Sequence, residues 1–162
     1  MPKLAFTEYN YGGGEDASGL VAQADVLGLF GRFGVFAACN WGINAKHPAQ
    51  IAAFRAFLDF DGKGTKFGDT MIQVKGENPA ENAVFAALDS RTAGRLTLVL
   101  VNKKSTPQEF KVGLGSTRYR LAKAFAANHL KPMSPSAITS DVRGSTYLAT
   151  VPAYGVVSVD LR

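Results

Sequence analysis

The pattern of the sequence changes after roughly the first third of the chain, and this change constrains the fold more than any other feature. Residues 3–8 are predicted to form a short strand, and apolar residues at helical spacing predict a helix over residues 17–32. The uninterrupted apolar run within residues 34–40 is typical of a parallel strand buried on both faces. A second helix is expected over residues 48–58, with Pro48 in its first turn. The order strand, helix, strand, helix indicates two βα units.

The remainder of the chain has a pattern of apolar and turn residues that is typical of an all-β fold. Residues 59–69 are rich in glycine and charge, so the second helix is expected to end there. Short apolar runs broken by turn residues follow, without a helical pattern between them, and they predict an antiparallel β-sandwich. These runs are residues 70–75, 83–88, 95–102, 108–114, 117–125, 146–151 and 156–161.

Charge and cysteine content narrow the function classes. The chain carries a net charge of +5, with a net of −1 in residues 1–69 and +6 in residues 70–162. The basic residues are dispersed, which is typical of the solvent face of a sheet and argues against a nucleic-acid partner. Cys39 is the only cysteine, so an internal disulfide is impossible. No apolar run approaches the ~20 residues that span a bilayer, so no membrane partner is expected.

The most informative polar residues follow the two predicted strands of the βα units. Glu8 ends the first strand and is followed by Tyr9 and Asn10, and Trp41 ends the second. In α/β barrels the carboxyl ends of the strands form the active-site face, and glycoside hydrolysis requires carboxyl groups there. An indole ring offers a flat surface to a sugar ring. The residues alone leave an alternative open, in which Glu8 is a surface or capping residue and Trp41 belongs to the core.

Four segments resemble glycoside hydrolase family 44. They are Leu-Ala-Phe-Thr-Glu-Tyr-Asn-Tyr-Gly-Gly at residues 4–13, the helix segment at residues 23–31, the strand and Trp at residues 34–41, and the junction at residues 61–70. The resemblance covers essentially the whole chain and is most specific over residues 3–70. It implies an endoglucanase or xyloglucanase that cleaves β-1,4-glucan backbones with retention of configuration.

The resemblance also implies roles for individual residues. Glu8 matches the nucleophile at the end of barrel strand seven, and Trp41 matches a sugar-stacking residue at the end of strand eight. Tyr9 and Asn10 are expected to orient Glu8 or to bind the substrate. The acid/base glutamate of the family lies far upstream and has no counterpart in this chain, and Glu15 belongs to no acid/base motif.

The implied fold is α/β plus all-β: the last two βα units of a TIM-type (β/α)8 barrel followed by an antiparallel β-sandwich. The expected domains are residues 1–64, from barrel strand seven to helix eight, and residues 65–162, the sandwich. Because a complete barrel needs at least about 200 residues, 162 residues can hold only a C-terminal fragment of such an enzyme. We therefore expect the isolated chain to be inactive and prone to aggregation, since the run at residues 35–39 would lack its neighbours.

The expected partner is a β-glucan polysaccharide such as xyloglucan or a cellulose derivative. The resemblance implies an extracellular enzyme that is a monomer at full length, and no cofactor is expected. No metal site is predicted either, because Asp59, Asp61 and Asp69 do not have EF-hand spacing.

Two alternatives remain. One is another barrel-plus-sandwich glycosidase, of the arabinofuranosidase or glucuronoxylanase type. The other is a non-catalytic, carbohydrate-associated β-sandwich module, which the sandwich aromatic residues do not favour because they fall at strand positions that suit a core.

Overall fold

A computed structural model describes residues 2–128 and 136–162. Its first part contains β1 (Ala5–Tyr9), α1 (Ala17–Arg32), β2 (Ala37–Asn40) and α2 (Pro48–Leu58), in the predicted order. The strands that follow are β3 (Thr70–Ile72), β4 (Asn82–Leu88), β5 (Leu96–Asn102), β6 (Gln108–Gly113), β7 (Leu121–Ala127), β8 (Ser136–Ala137), β9 (Ser140–Arg143), β10 (Thr146–Val151) and β11 (Val156–Leu161). None of the helices in the described residues is long and apolar enough to cross a membrane.

The later strands form two antiparallel sheets. The larger has six strands in the order β3-β4-β5-β11-β7-β8, and the smaller has three in the order β6-β10-β9. Leu98, Leu100 and Val159 of the larger sheet share a buried core with Phe110 and Tyr147 of the smaller one. The antiparallel sandwich predicted from the sequence is therefore present. Strands β8 and β9, which were not predicted, are short and largely polar, so they lack the apolar run that marks a strand.

The helices pack on the other face of the six-stranded sheet. Leu20 of α1 and Ala53 of α2 lie in a second buried cluster with Phe85, Val99 and Val156 of the sheet. Successive side chains of a strand point to opposite faces, so β5, which has apolar layers on both sides, is buried at all seven positions. The helical part and the sandwich thus share a core.

Local sequence explains the two helix starts. Asp16 precedes α1, and its side chain accepts hydrogen bonds from the backbone N–H and the hydroxyl of Ser18, at 2.8 and 2.6 Å. Pro48 occupies the first position of α2, where a backbone N–H has no partner within the helix.

Strands β1 and β2 form a parallel pair that stands apart from the two larger sheets. The sequence predicted that the run at residues 34–40 is buried on both faces, and this is wrong for the chain as described: β2 begins only at Ala37, and Phe36 is 63% exposed. The physical reason is that the sheet has only two strands: α1 packs against Phe6 and Tyr9 of β1, and most positions of both strands are exposed. The expectation that the run at residues 35–39 lacks neighbours is thereby confirmed.

The junction after α2 is tied to the sandwich by Asp61. Its carboxylate accepts hydrogen bonds from Lys123 Nζ and Thr65 Oγ1, both at 2.6 Å, and from the backbone N–H groups of Lys63 and Thr65. Burial favours the neutral acid, but the hydrogen bonds from Lys123, Thr65 and the two backbone groups outweigh it. Together they hold the pKa of Asp61 well below its ordinary value.

Replacing Asp61 with Asn should therefore destabilise the chain by about 1.5–3 kcal/mol at pH 7, the usual contribution of a hydrogen bond to a charged group. A carboxyl group whose pKa is lower in the folded state stabilises the fold above its unfolded pKa of about 3.9, and this contribution is lost as the pH falls further. Urea unfolding at pH 7 and pH 3 measures both effects, and the difference between wild type and D61N should shrink at pH 3. D141N, at a carboxylate that is 56% exposed, is the control and should change the free energy of unfolding by less than about 0.5 kcal/mol.

Candidate active site

The carboxyl ends of β1 and β2 lie side by side because the two strands are parallel. Their register pairs Phe6 with Ala38 and Tyr9 with Asn40, so three steps along β1 match two along β2. One extra residue is thus inserted between Phe6 and Tyr9, which makes a β-bulge at Thr7 and Glu8. Bulges of this kind change the direction of a side chain and are frequent next to active sites.

The bulge determines the face on which Glu8 lies. The rings of Phe6 and Tyr9 both contact Phe30 of α1, with centroid distances of 5.3 and 5.4 Å. In an uninterrupted strand Phe6 and Glu8 would share a face, but here Tyr9 takes the helix side with Phe6. Glu8, adjacent to Tyr9, therefore points away from the helix, and it is exposed.

Hydrogen bonds join Trp41 to the end of β1. The backbone N–H of Trp41 donates to the carbonyl of Tyr9 at 2.8 Å, and Asn10 Nδ2 donates to the carbonyl of Trp41 at 2.7 Å. Asn10 Oδ1 accepts from the backbone N–H of Gly12 at 2.8 Å. The indole is 64% exposed. The structure thus brings Glu8, Asn10 and Trp41 to one edge, which we call the rim.

Tyr9 lies on the other side of β1, toward α1. Its ring packs against Phe30 and lies 6.3 Å from the ring of Tyr11, and its hydroxyl accepts a hydrogen bond from Gln23 Nε2 at 2.9 Å. The expectation that Tyr9 orients Glu8 or binds the substrate stays a prediction.

Sequence reasoning missed the role of Gln23, a buried residue of α1 that is hydrogen-bonded to the segments forming the rim. Gln23 is fully buried, and its Oε1 accepts from the hydroxyl of Tyr11 at 2.6 Å and from Asn40 Nδ2 at 3.1 Å. Burial, and to a smaller degree the neighbouring Tyr9, raises the pKa of Tyr11, so its hydroxyl stays protonated and can donate. The available signal was the position of Gln23, a polar residue three positions after Leu20 on the apolar stripe of α1.

The glycine-rich loop after the rim packs against the start of α2. A side chain at Gly14 would clash with the ring of His47, since a Cβ there would lie 2.5 Å from Cγ of that ring. Gln50 Nε2 donates to the carbonyl of Gly12 at 3.2 Å and is buried with α2. An open cleft of about 390 Å³ lies beside Asn10 and includes Glu15 and His47 in its lining. Within residues 2–128 and 136–162, no three His, Cys, Asp or Glu side chains are grouped in a way that could hold a metal ion.

Comparisons with known proteins find similarity to endoglucanases and to a xyloglucanase. No family model matches the sequence. The chain is 31% identical over 159 residues to a β-mannanase/endoglucanase A of Caldicellulosiruptor saccharolyticus. The matched residues make up 96% of this chain but only 12% of that protein. It superposes on a family 44 endoglucanase of Clostridium acetobutylium ATCC 824 with a TM-score of 0.89 at 27% identity, over 98% of this chain and 32% of that one.

A family 44 xyloglucanase of Paenibacillus polymyxa gives a TM-score of 0.88 at 29% identity and the same coverage, 98% of this chain and 32% of its own. The chain therefore spans about a third of the length of these solved structures and a smaller part of the curated relative. Sequence identity and fold together confirm the resemblance that the sequence showed: over nearly its whole length, this chain is similar to solved enzymes of glycoside hydrolase family 44.

Proposed function

We propose that this chain is the C-terminal portion of a retaining endo-β-1,4-glucanase or xyloglucanase, with Glu8 as the catalytic nucleophile. The observation that carries the proposal is the rim, where an exposed carboxylate on a β-bulge lies at the carboxyl end of one parallel strand and an exposed indole lies at the end of the next. In this proposal residues 1–64 are strand seven to helix eight of a TIM-type barrel, and residues 65–162 are the β-sandwich domain.

Glu8 would act in the ionised form. Its carboxylate attacks the anomeric carbon while the bond from that carbon to the glycosidic oxygen breaks, and an acid/base carboxyl group donates its proton to the leaving oxygen. The same group then takes a proton from a water molecule, which hydrolyses the ester to Glu8. In retaining enzymes the two carboxyl groups are about 5–5.5 Å apart. We assign the acid/base role to a glutamate outside residues 1–162, so this chain alone would not turn over substrate.

Trp41 would provide the sugar-binding surface of the rim. A flat indole face packs well against the C–H groups of a pyranose ring. Asn10 would hold the backbone that carries this surface, because it donates to the carbonyl of Trp41 while its own oxygen accepts from the N–H of Gly12. Substrate would therefore meet an exposed indole on the same rim as the carboxylate of Glu8.

The proposed substrate is a β-1,4-glucan such as xyloglucan or a cellulose derivative. Support comes from the solved Paenibacillus polymyxa xyloglucanase, which was determined with xyloglucan and is 28% identical to this chain. We further propose an extracellular location and a monomeric full-length enzyme, as the resemblance implies.

The sandwich alone is the weaker candidate for carbohydrate binding. Among the described residues, the aromatic side chains that are most exposed are Phe6, Tyr11, Phe33, Phe36 and Trp41, and all of them precede the sandwich. The sandwich residues Phe85, Phe110, Tyr119 and Tyr147 are buried. Of the exposed aromatic residues, Tyr11 and Trp41 follow the carboxyl ends of β1 and β2, so we place the sugar-stacking surface at the rim and not on the described part of the sandwich.

A hybrid enzyme tests the proposed function. In it, residues 1–162 replace the matching segment of the Clostridium acetobutylium ATCC 824 endoglucanase, so that the remainder supplies the acid/base group. We expect new reducing ends from xyloglucan or carboxymethylcellulose, no release from arabinosides, and no turnover by residues 1–162 alone. A folded hybrid that cleaves only arabinosides would favour another barrel-plus-sandwich glycosidase. An inactive hybrid, together with retardation of residues 70–162 in a xyloglucan affinity gel, would favour a non-catalytic carbohydrate-associated module.

A further inference from the structure

We propose that Gln23 is a positioning residue that holds the bulge carrying Glu8 in its orientation. The inference rests on the proposed function of Glu8, but the contacts that carry it belong to this chain alone. Gln23 lies on the inner face of α1 and is fully buried, and none of its partners is within ten residues of it in the sequence.

The side chain of Gln23 joins three segments that converge below the rim. Its Nε2 donates to the hydroxyl of Tyr9 at the end of β1, and its Oε1 accepts from Tyr11 in the following loop and from Asn40 at the end of β2. Both polar atoms of one amide are therefore used on the two strands that form the rim. A buried amide is costly unless it is hydrogen-bonded, so the three bonds account for its presence on an apolar helix face.

The bulge explains why such a support is needed. The regular ladder between β1 and β2 is interrupted between Phe6 and Tyr9, so the backbone of Thr7 and Glu8 is not fixed by the usual register. On either side of the interruption, α1 supplies an anchor: Phe30 stacks on Phe6, and Gln23 binds the hydroxyl of Tyr9. Glu8 is the residue next to Tyr9, so movement of Tyr9 transmits directly to its carboxylate.

An amide is required for this arrangement. Tyr9 needs a hydrogen-bond donor, which is Nε2 of Gln23, whereas Tyr11 and Asn40 need an acceptor, which is its Oε1. The side-chain amide of glutamine carries both in one planar group. Methionine has nearly the same length and flexibility but lacks the donor and is a weak acceptor. Gln23→Met therefore removes the hydrogen bonds while leaving a side chain that fills the space.

Two measurements on Q23M test the inference. Trp41 is the only tryptophan, so the fluorescence anisotropy and emission of the 162-residue chain report on the rim directly. We expect lower anisotropy of Trp41 in Q23M, because β1 and β2 lose their shared anchor. In the hybrid enzyme we expect kcat to fall about tenfold to a hundredfold with KM changed less than threefold, since misplacement of a reacting group by about 1 Å costs rate on this scale.

Ser158→Ala is the matched control. Ser158 is also a buried polar residue, and it lies on β11, away from the rim. Its hydroxyl donates to the carbonyl of Ala56 in α2 at 2.7 Å and so joins the sheet to a helix. We expect both S158A and Q23M to lower the melting temperature by a few degrees, but only Q23M to alter the Trp41 signal and kcat.

The outcomes separate this inference from the proposed function. If Q23M matches S158A in both the Trp41 signal and kcat, Gln23 is only a packing residue and the inference is overturned, and the same holds if the Trp41 signal changes while kcat does not. If a wild-type hybrid that folds has no glucanase activity, or if its E8Q variant keeps full activity, the proposed function fails whatever Q23M does.

Discussion

Glu8→Gln in the hybrid enzyme should lower kcat on xyloglucan by about 10³-fold or more, because effects of this size or larger follow the loss of a catalytic nucleophile. The amide is nearly the same size as the carboxylate but carries no negative charge, so it cannot attack the anomeric carbon. Glu8 is exposed and lies on a bulge, so the substitution should leave the melting temperature within about 2 °C of wild type, as surface changes usually do. Reducing-end assays and thermal unfolding measure the two quantities.

Glu15→Gln is the matched control for E8Q. Glu15 is an exposed glutamate in the glycine-rich loop that follows the rim, seven residues after Glu8, and no acid/base motif includes it. E15Q should retain activity within about threefold of wild type, on the scale expected for surface residues outside the chemistry. If E8Q and E15Q had similar activity, the nucleophile would have to be another residue. Mass spectrometry after a 2-fluoro cello-oligosaccharide trap would then identify it.

The rim was predictable to the extent that it depends on strand order. Glu8 lies at the carboxyl end of β1 and Trp41 directly follows β2, and parallel strands bring their carboxyl ends to one edge. The bulge was not predictable, since it is a property of the pairing between β1 and β2 and not of either strand. The role of Gln23 depends in turn on the distance between α1 and the strand ends, which local sequence does not determine.

In the fold as well, local sequence predicted the positions of strands but not their pairing partners. Alternation within residues 108–114 and the apolar run of β5 were sufficient to place strands of the sandwich. Their partners were not evident, because β5 lies between β4 and β11, which are far from each other in the sequence. The burial of β2 was overestimated. An apolar run indicates that a strand suits a buried environment, but the described residues do not surround β2 with neighbours that would bury it.

The packing of α1 on the sheet leads to the largest expected effect on stability. Phe85 is fully buried on β4 and lies against α1 where the helix has a glycine, Gly28. Replacing Phe85 with Ala should destabilise the chain by about 3–5 kcal/mol, the usual cost of a large aromatic residue lost from a core. This is a large part of the 5–15 kcal/mol or so that holds a typical domain folded. Phe33→Ala, at a phenylalanine that is 73% exposed, should cost less than about 0.5 kcal/mol.

Gly28→Ala tests the same contact from the helix side. A Cβ at Gly28 would lie 2.3 Å from Cδ2 and Cε2 of the Phe85 ring, so either the helix or the ring must move, and we expect a loss of about 1–3 kcal/mol despite the better helix propensity of alanine. In the double variant the new methyl group enters space that the ring has vacated. The effects should therefore be less than additive, with G28A close to neutral in the F85A background. Urea unfolding of the four proteins measures this coupling. Additive losses, or an F85A transition that unfolds the sandwich but leaves the helical signal intact, would show that α1 and the sheet do not share a core.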